Sequence, residues 1–185
     1  MSLPRIILRG VPERGAGIHY LREYLPELEL CMDRTRNAMT TFLAAMAMAG
    51  PDAALHMEDD AVLAAGFHET VGAAVRDRPD AVIQFFSRRG ADLVLGSRWD
   101  STFSCSVCFY APPGYSAGIL AFAPGWMQQH PEHPTGFDLV VNDYLRLRRE
   151  RHWIHVPNAV DHRAGRSAID GRRSSRRFSR TFPGQ

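Results

Sequence analysis

The chain has 185 residues, 45% of them hydrophobic and 23% charged, and a formal net charge of +2. That length supports one domain with a sizeable core, and the composition excludes fibrous, low-complexity and disulfide-framework classes. No apolar run approaches the roughly 20 residues of a membrane span, and no basic-then-apolar leader opens the chain. A cytoplasmic protein with no membrane span is therefore expected.

All 22 basic residues are arginine. Seven of them, Arg163, Arg166, Arg172, Arg173, Arg176, Arg177 and Arg180, crowd the end of the chain. A basic tail of this kind meets phosphate or is simply solvated. With only three cysteines, a reducing compartment fits, and Cys105 and Cys108 read as small strand or loop residues rather than half of a zinc site.

In chain order, Arg5 to Arg9 reads as a short buried strand and Val11 to Gly15 as a loop. Ile18 to Tyr24 has helical spacing, and Leu28 to Met32 reads as a strand. Asp33 is placed to cap a helix over Arg34 to Met48, with Met39, Phe42, Leu43 and Met46 as its core stripe. Gly50-Pro51 ends that helix.

Then comes Ala53-Ala54-Leu55-His56-Met57-Glu58-Asp59-Asp60-Ala61-Val62-Leu63. An apolar strand that runs into three acids needs a reason, because adjacent carboxylates repel and desolvate poorly. A divalent cation is one such reason, and an acid-loving helix start is the other. On repulsion alone, deleting Asp60 should relieve the ligand-free protein. His56 reads as structural.

Gly66 to Val75 is expected to be a helix, Ala81 to Phe86 a buried strand, and Ser87 to Thr102 a loop over a site. Val107 to Tyr110 and Tyr115 to Phe122 read as strands, and Pro124 as the opening of a short helix ending near His130. Phe137 to Arg149 is helical, with Leu139, Val140, Tyr144 and Leu147 on one face. Trp153 to Val156 is a last strand, and the chain from Pro157 onward reads as polar and irregular. Alternating elements imply an α/β fold with a mostly parallel sheet flanked by helices, with ligands at the carboxyl ends of the strands. No internal repeat and no Gly-rich phosphate loop is found.

The run Leu55 to Leu63 resembles the acidic strand end of glycosyltransferases related to the lipooligosaccharide-type family 25. Arg5 to Arg14 resembles the first strand and nucleotide turn of that family, with Gly15 where a second arginine is usual. Gly118-Ile119-Leu120-Ala121 resembles its strand near the acceptor, Gly136-Phe137-Asp138-Leu139 an acidic helix start, and Val156 to Ser167 the ending common in small bacterial and phage members. The resemblance covers residues 4 to 170. It implies a single GT-A-like, Rossmann-type domain over residues 1–170, followed by an Arg-rich tail over 171–185.

The function so implied is metal-dependent transfer of a sugar from a nucleotide-diphosphate donor, a UDP-sugar, to an unknown hydroxyl acceptor: a glycan, a lipid-linked sugar or modified DNA. Mn²⁺ or Mg²⁺ would stabilise the departing diphosphate. The resemblance assigns the metal to Asp60 and His162, and turns Glu58 toward the ribose, with Asp59 orienting the loop. Arg163 and Arg166, and Arg9 or Arg14 beneath the nucleotide, would clamp phosphate oxygens. The base that takes the acceptor proton would be Asp138, with Asp143 as second choice. Other classes stay open. One is a nucleotidyltransferase, disfavoured by the absence of lysine. The other is a nucleic-acid-binding protein, or a DNA-modifying phage glycosyltransferase, that uses the arginine tail.

Overall fold

The computed structural model describes residues 3–163 and 178–184. The tail positions Arg166, Arg172, Arg173, Arg176 and Arg177 lie outside the described residues. The strands are β1 (Arg5–Gly10), β2 (Glu29–Met32), β3 (Ala54–Glu58), β4 (Ala61–Leu63), β5 (Ile83–Gln84), β6 (Arg98–Asp100), β7 (Cys108–Ala111), β8 (His152–Ile154) and β9 (Val160–His162). The helices are α1 (Gly15–Tyr24), α2 (Ala38–Ala49), α3 (Phe67–Asp77), α4 (Asp92–Leu95), α5 (Tyr115–Gln129) and α6 (Phe137–Arg148).

Seven strands form one sheet in the order β2-β1-β3-β7-β5-β8-β6, and β4 pairs with β9 in a separate two-stranded sheet. The fold is α/β, as the alternation implies. Five strands of the large sheet run one way, while β7 and β6 run the other. β7 inside the sheet and β6 at its edge make three of the six pairings antiparallel, so the sheet is mixed.

The strands are apolar on both faces because helices cover both. Ile6, Leu8, Leu55 and Met57 face one core with Ile18 and Leu21 of α1 and Phe67 and Val71 of α3. Ile7 and Ala54 point the other way, toward Ala45 and Ala49 of α2. Phe109 lies with Phe42, Ile119 and Val141, contributed by α2, α5 and α6. The period of two along β1 and β3 makes this division.

Several boundaries differ from the sequence reading. Asn37, not Asp33, caps α2, through a Thr40 N–H donated to its side chain at 3.1 Å. Residues 87–102 are not a plain loop, since they contain α4 and the edge strand β6. The run expected as a strand from Tyr115 is the long helix α5, with Pro124 inside it. Gly118 to Ala121 is therefore helical, against the resemblance. A short apolar run cannot be assigned by periodicity alone, and here helical length decides. The missing Pro124 N–H costs one bond in a helix clamped by its neighbours. On α6 the buried face is Val140, Val141, Tyr144 and Leu145, whereas Leu139 and Leu147 are exposed. Beyond Pro157 the chain is not wholly irregular, because β9 returns to pair with β4. Among the described residues no helix is long and apolar enough to cross a membrane.

Candidate functional site

The acid cluster sits at the carboxyl ends of β1 and β3. Register sets Arg9 beside Glu58. The Asp59 N–H donates to the Arg9 carbonyl at 3.0 Å, which turns the chain out of β3. α1 presses against this turn through Gly17, where a Cβ would collide with the Asp59 carbonyl oxygen, so only glycine allows the approach.

Asp59 accepts the Val11 N–H at 2.7 Å through Oδ2 and the Arg14 guanidinium at 2.9 Å through Oδ1. Arg14 also bonds Asp60 Oδ2, and His162 Nε2 lies 3.0 Å from that same oxygen. His162 arrives there because β9 pairs with β4, setting it opposite Ala61. The next N–H, of Arg163, donates to the Asp60 carbonyl at 2.7 Å. Two residues about a hundred positions apart in sequence are thus joined by one hairpin-like pairing. Among the described residues, Asp60 Oδ1 is buried without a hydrogen-bond partner.

Burial raises the pKa of both Glu58 and Asp59, and for Glu58 the neighbouring Asp60 and Asp138 add to it. Asp60 goes the other way. Burial pushes its pKa up, but His162 and Arg14 outweigh that and hold it below the usual carboxylate value. The repulsion expected at Asp60 is therefore outweighed, and of the three acids Asp60 is the one whose charged form its neighbours favour. Arg14 in turn keeps its proton more firmly than an ordinary arginine: burial works against the charge, yet Asp60 and Asp59 prevail.

Arg9 is almost fully buried, not placed for an open phosphate site. Its Nη2 donates to the Ser106 carbonyl at 2.8 Å and to Glu58 at 3.2 Å, and its guanidinium lies 4.8 Å from the Phe137 ring centre and 5.5 Å from that of Phe42. It positions Glu58, and so does Ser106, whose Oγ donates to Glu58 at 3.0 Å. Asp138 stands behind Ser106. Its two oxygens accept the Cys105 N–H at 2.8 Å and the Ser106 N–H at 3.2 Å, clamping a turn in which Cys105 adopts a φ of 65°. Asp138 thus belongs to the neighbourhood of the cluster, but its carboxylate holds backbone. Asp143 is not brought there; it accepts Trp126 Nε1 at 2.9 Å and pairs with Arg146. Arg163 lays its guanidinium over Tyr20, 5.0 Å from the ring centre. Arg166 lies outside the described residues.

The sequence reading missed two members of this neighbourhood. Ser106 carried no signal. Asp33 did, because it follows β2 at a strand's carboxyl end; it is buried, its N–H donates to the Gly10 carbonyl at 2.7 Å, and it lines a cleft with Arg9, Val11, Glu58 and Phe137. His56 is structural as expected, fully buried and stacked on Phe109 at 5.1 Å, with burial lowering its pKa to about 3. All three cysteines are free thiols.

Among the described residues no three His, Cys, Asp or Glu side chains converge as a metal site. The donor set on offer is smaller: one carboxylate with an unpartnered buried oxygen, and one imidazole beside it. Mg²⁺ and Mn²⁺ suit oxygen donors, and Mg²⁺ needs only one or two protein carboxylates with phosphate and water filling the rest, so the Asp60 carboxylate is the part of this set that fits such an ion. Comparison with protein-family models finds none that matches the chain, and no curated protein matches it either.

Proposed function

We propose that the chain is a metal-dependent glycosyltransferase that moves the sugar of a nucleoside-diphosphate sugar, a UDP-sugar by the resemblance, to a hydroxyl acceptor. The observation that carries this reading is His162 Nε2 at 3.0 Å from Asp60 Oδ2. A resemblance built on separated motifs requires its late histidine to return to its last acid, and a chance match has no reason to do so.

In the transfer, the bond from the anomeric carbon to the diphosphate oxygen breaks and a bond to the acceptor oxygen forms. The acceptor proton goes to a base. Mn²⁺ or Mg²⁺ held by Asp60 and His162 would neutralise the charge that develops on the leaving diphosphate. Arg14 has a quarter of its side chain exposed, against 6% for Arg9, so Arg14 is the guanidinium a phosphate oxygen can reach. Arg9 and Ser106 instead fix Glu58 at the cleft. That cleft encloses only about 70 Å³. A nucleotide would lie across open strand ends rather than inside a pocket. Of the two base candidates only Asp138 lies beside the cluster.

Thermal melts with UDP, with and without Mn²⁺, test the reading. At about 100 times its dissociation constant, a ligand adds about 2.7 kcal/mol of apparent stability. The shift should need metal and nucleotide together and should vanish in Asp60→Asn. Identical curves with and without Mn²⁺ would remove the proposal's support.

A further inference from the structure

A second cavity, of about 230 Å³, opens beside the β4–β9 pair, between α1 and the start of α3. One wall is aromatic. Tyr20 and Tyr24, one turn apart on α1, hold their rings 5.0 Å apart at 51°, and Phe67 joins them. His68 and Glu69 supply polar groups at the edge. Tyr24 is 56% exposed, so its ring lies open beside the cavity.

The cavity is tied to the acid cluster twice. Leu63, in its lining, donates its N–H to Tyr20 Oη at 3.2 Å, and it stands three residues after Asp60. At roughly 3.3 Å per strand residue, the cavity begins within about 10 Å of Asp60. Arg163 makes the second tie: its N–H holds the Asp60 carbonyl while its guanidinium covers Tyr20.

Size and charge narrow the occupant. The volume falls below the roughly 300–1,000 Å³ of ordinary ligand sites, so a sugar nucleotide is too large. Glu69 is in the lining and, among the described residues, no arginine is, although the Arg163 guanidinium covers Tyr20 at the wall, so a neutral ring is favoured over a phosphate. What remains is a small neutral ring with an apolar face and a polar edge. We propose that this cavity seats a pyranose ring of the acceptor. The C–H face of the sugar would lie on Tyr24 and Tyr20, whose negative ring faces attract the positive hydrogens, and its hydroxyls would meet His68 and Glu69. The assignment as acceptor rests on the glycosyltransferase reading; the ring-binding cavity itself does not.

Saturation-transfer NMR with methyl glucosides, galactosides and mannosides at tens of millimolar is the test, run beside UDP–Mn²⁺ melts on the same proteins. At least one glycoside should receive saturation at its ring protons. Tyr24→Phe should keep that signal, and Tyr24→Ala should weaken binding by about tenfold, the scale of one lost aromatic contact. Both variants should keep the UDP–Mn²⁺ shift. No saturation of any glycoside, or equal saturation in Tyr24→Ala, overturns the proposal. Glycoside binding without any nucleotide shift overturns the acceptor role and the transferase reading, and leaves the pyranose site standing.

Discussion

Two networks of acids and arginines are buried or half-buried in this fold, and they differ in balance. At the sheet edge, Arg98 Nη1 lies 2.8 Å from Asp92 and Arg89 Nη1 lies 2.5 Å from Asp100, with Arg98 reaching Asp100 at 3.7 Å. Two acids meet two guanidinium groups. At the ends of β1 and β3, three acids meet two arginines and a histidine whose charge depends on pH. The first network balances its charges, although Asp92 Oδ1 and Oδ2 are buried without a hydrogen bond among the described residues, as Asp60 Oδ1 is in the second. What distinguishes the second is its surplus carboxylate. A neutral buried network stabilises the fold or merely shapes it. An unbalanced one marks a place where another positive group is wanted.

Removing a partner from the balanced network should have the largest effect. Arg98→Ala would leave Asp92, which is 2% exposed, with an uncompensated buried charge. A loss of about 3–5 kcal/mol is expected, read from the urea midpoint. Adding Asp92→Ala should recover part of it, because the two sites share one interaction. A loss under about 1 kcal/mol would mean that the edge network behaves as a surface pair, and the contrast with the acid cluster would fail.

The next largest effect should come from Asp60→Asn in the ligand-free protein. Its loss takes one carboxylate partner from Arg14 and one from His162, so a cost of about 1–3 kcal/mol is expected at pH 7. The pKa of Asp60 in the fold lies below its unfolded value. Its contribution is therefore fully present above about pH 4 and is lost as pH falls through the folded value. Melts of parent and variant should converge at low pH. An Asp60→Asn variant more stable than the parent at pH 7 would restore the simple repulsion picture.

That reversal measures what the sequence could and could not show. The strand ends were legible: Ile6-Ile7-Leu8 is apolar on both faces, Leu55-His56-Met57 is buried on both, and the acids that follow Met57 lie at a carboxyl edge. The pairing of His162 with Asp60 was reachable only through the resemblance, since no local pattern connects β4 with β9. Arg9 and Arg14 looked alike in sequence, and only register and burial separate a guanidinium packed between Phe42 and Phe137 from one that faces the surface. The region from Ser87 to His130 was read worst. Its short apolar runs fit strand or helix equally, and tertiary packing of α5 against α2 and α6 makes the choice. The return of the chain end was invisible as well. Ser179 donates its N–H to Asp161 at 2.8 Å and Ala65 donates to the Gly184 carbonyl at 3.2 Å, so part of the Arg-rich tail packs on the β4–β9 region.

The smallest effect, and the sharpest on the comparison, concerns Glu58. Burial raises its pKa above the unfolded value, even though Arg9 and Ser106 oppose the shift. Stability linked to its protonated form is fully present below the unfolded pKa near 4.3 and is lost as pH rises through the folded value. Glutamine cannot ionise, so Glu58→Gln escapes that loss while keeping an oxygen for Ser106 Oγ and Arg9 Nη2. At pH 7–8 the variant should be slightly more stable than the parent, by under about 1 kcal/mol, because a quarter of the Glu58 side chain is exposed and solvent screens the effect. The advantage should shrink to nothing as pH falls below about 4. Asp60→Asn should show the mirror image in the same melts, destabilised at neutral pH and matching the parent in acid. If both variants moved in the same direction, the cluster would hold three equivalent carboxylates, and no single acid in it would be singled out to stay charged for a ligand.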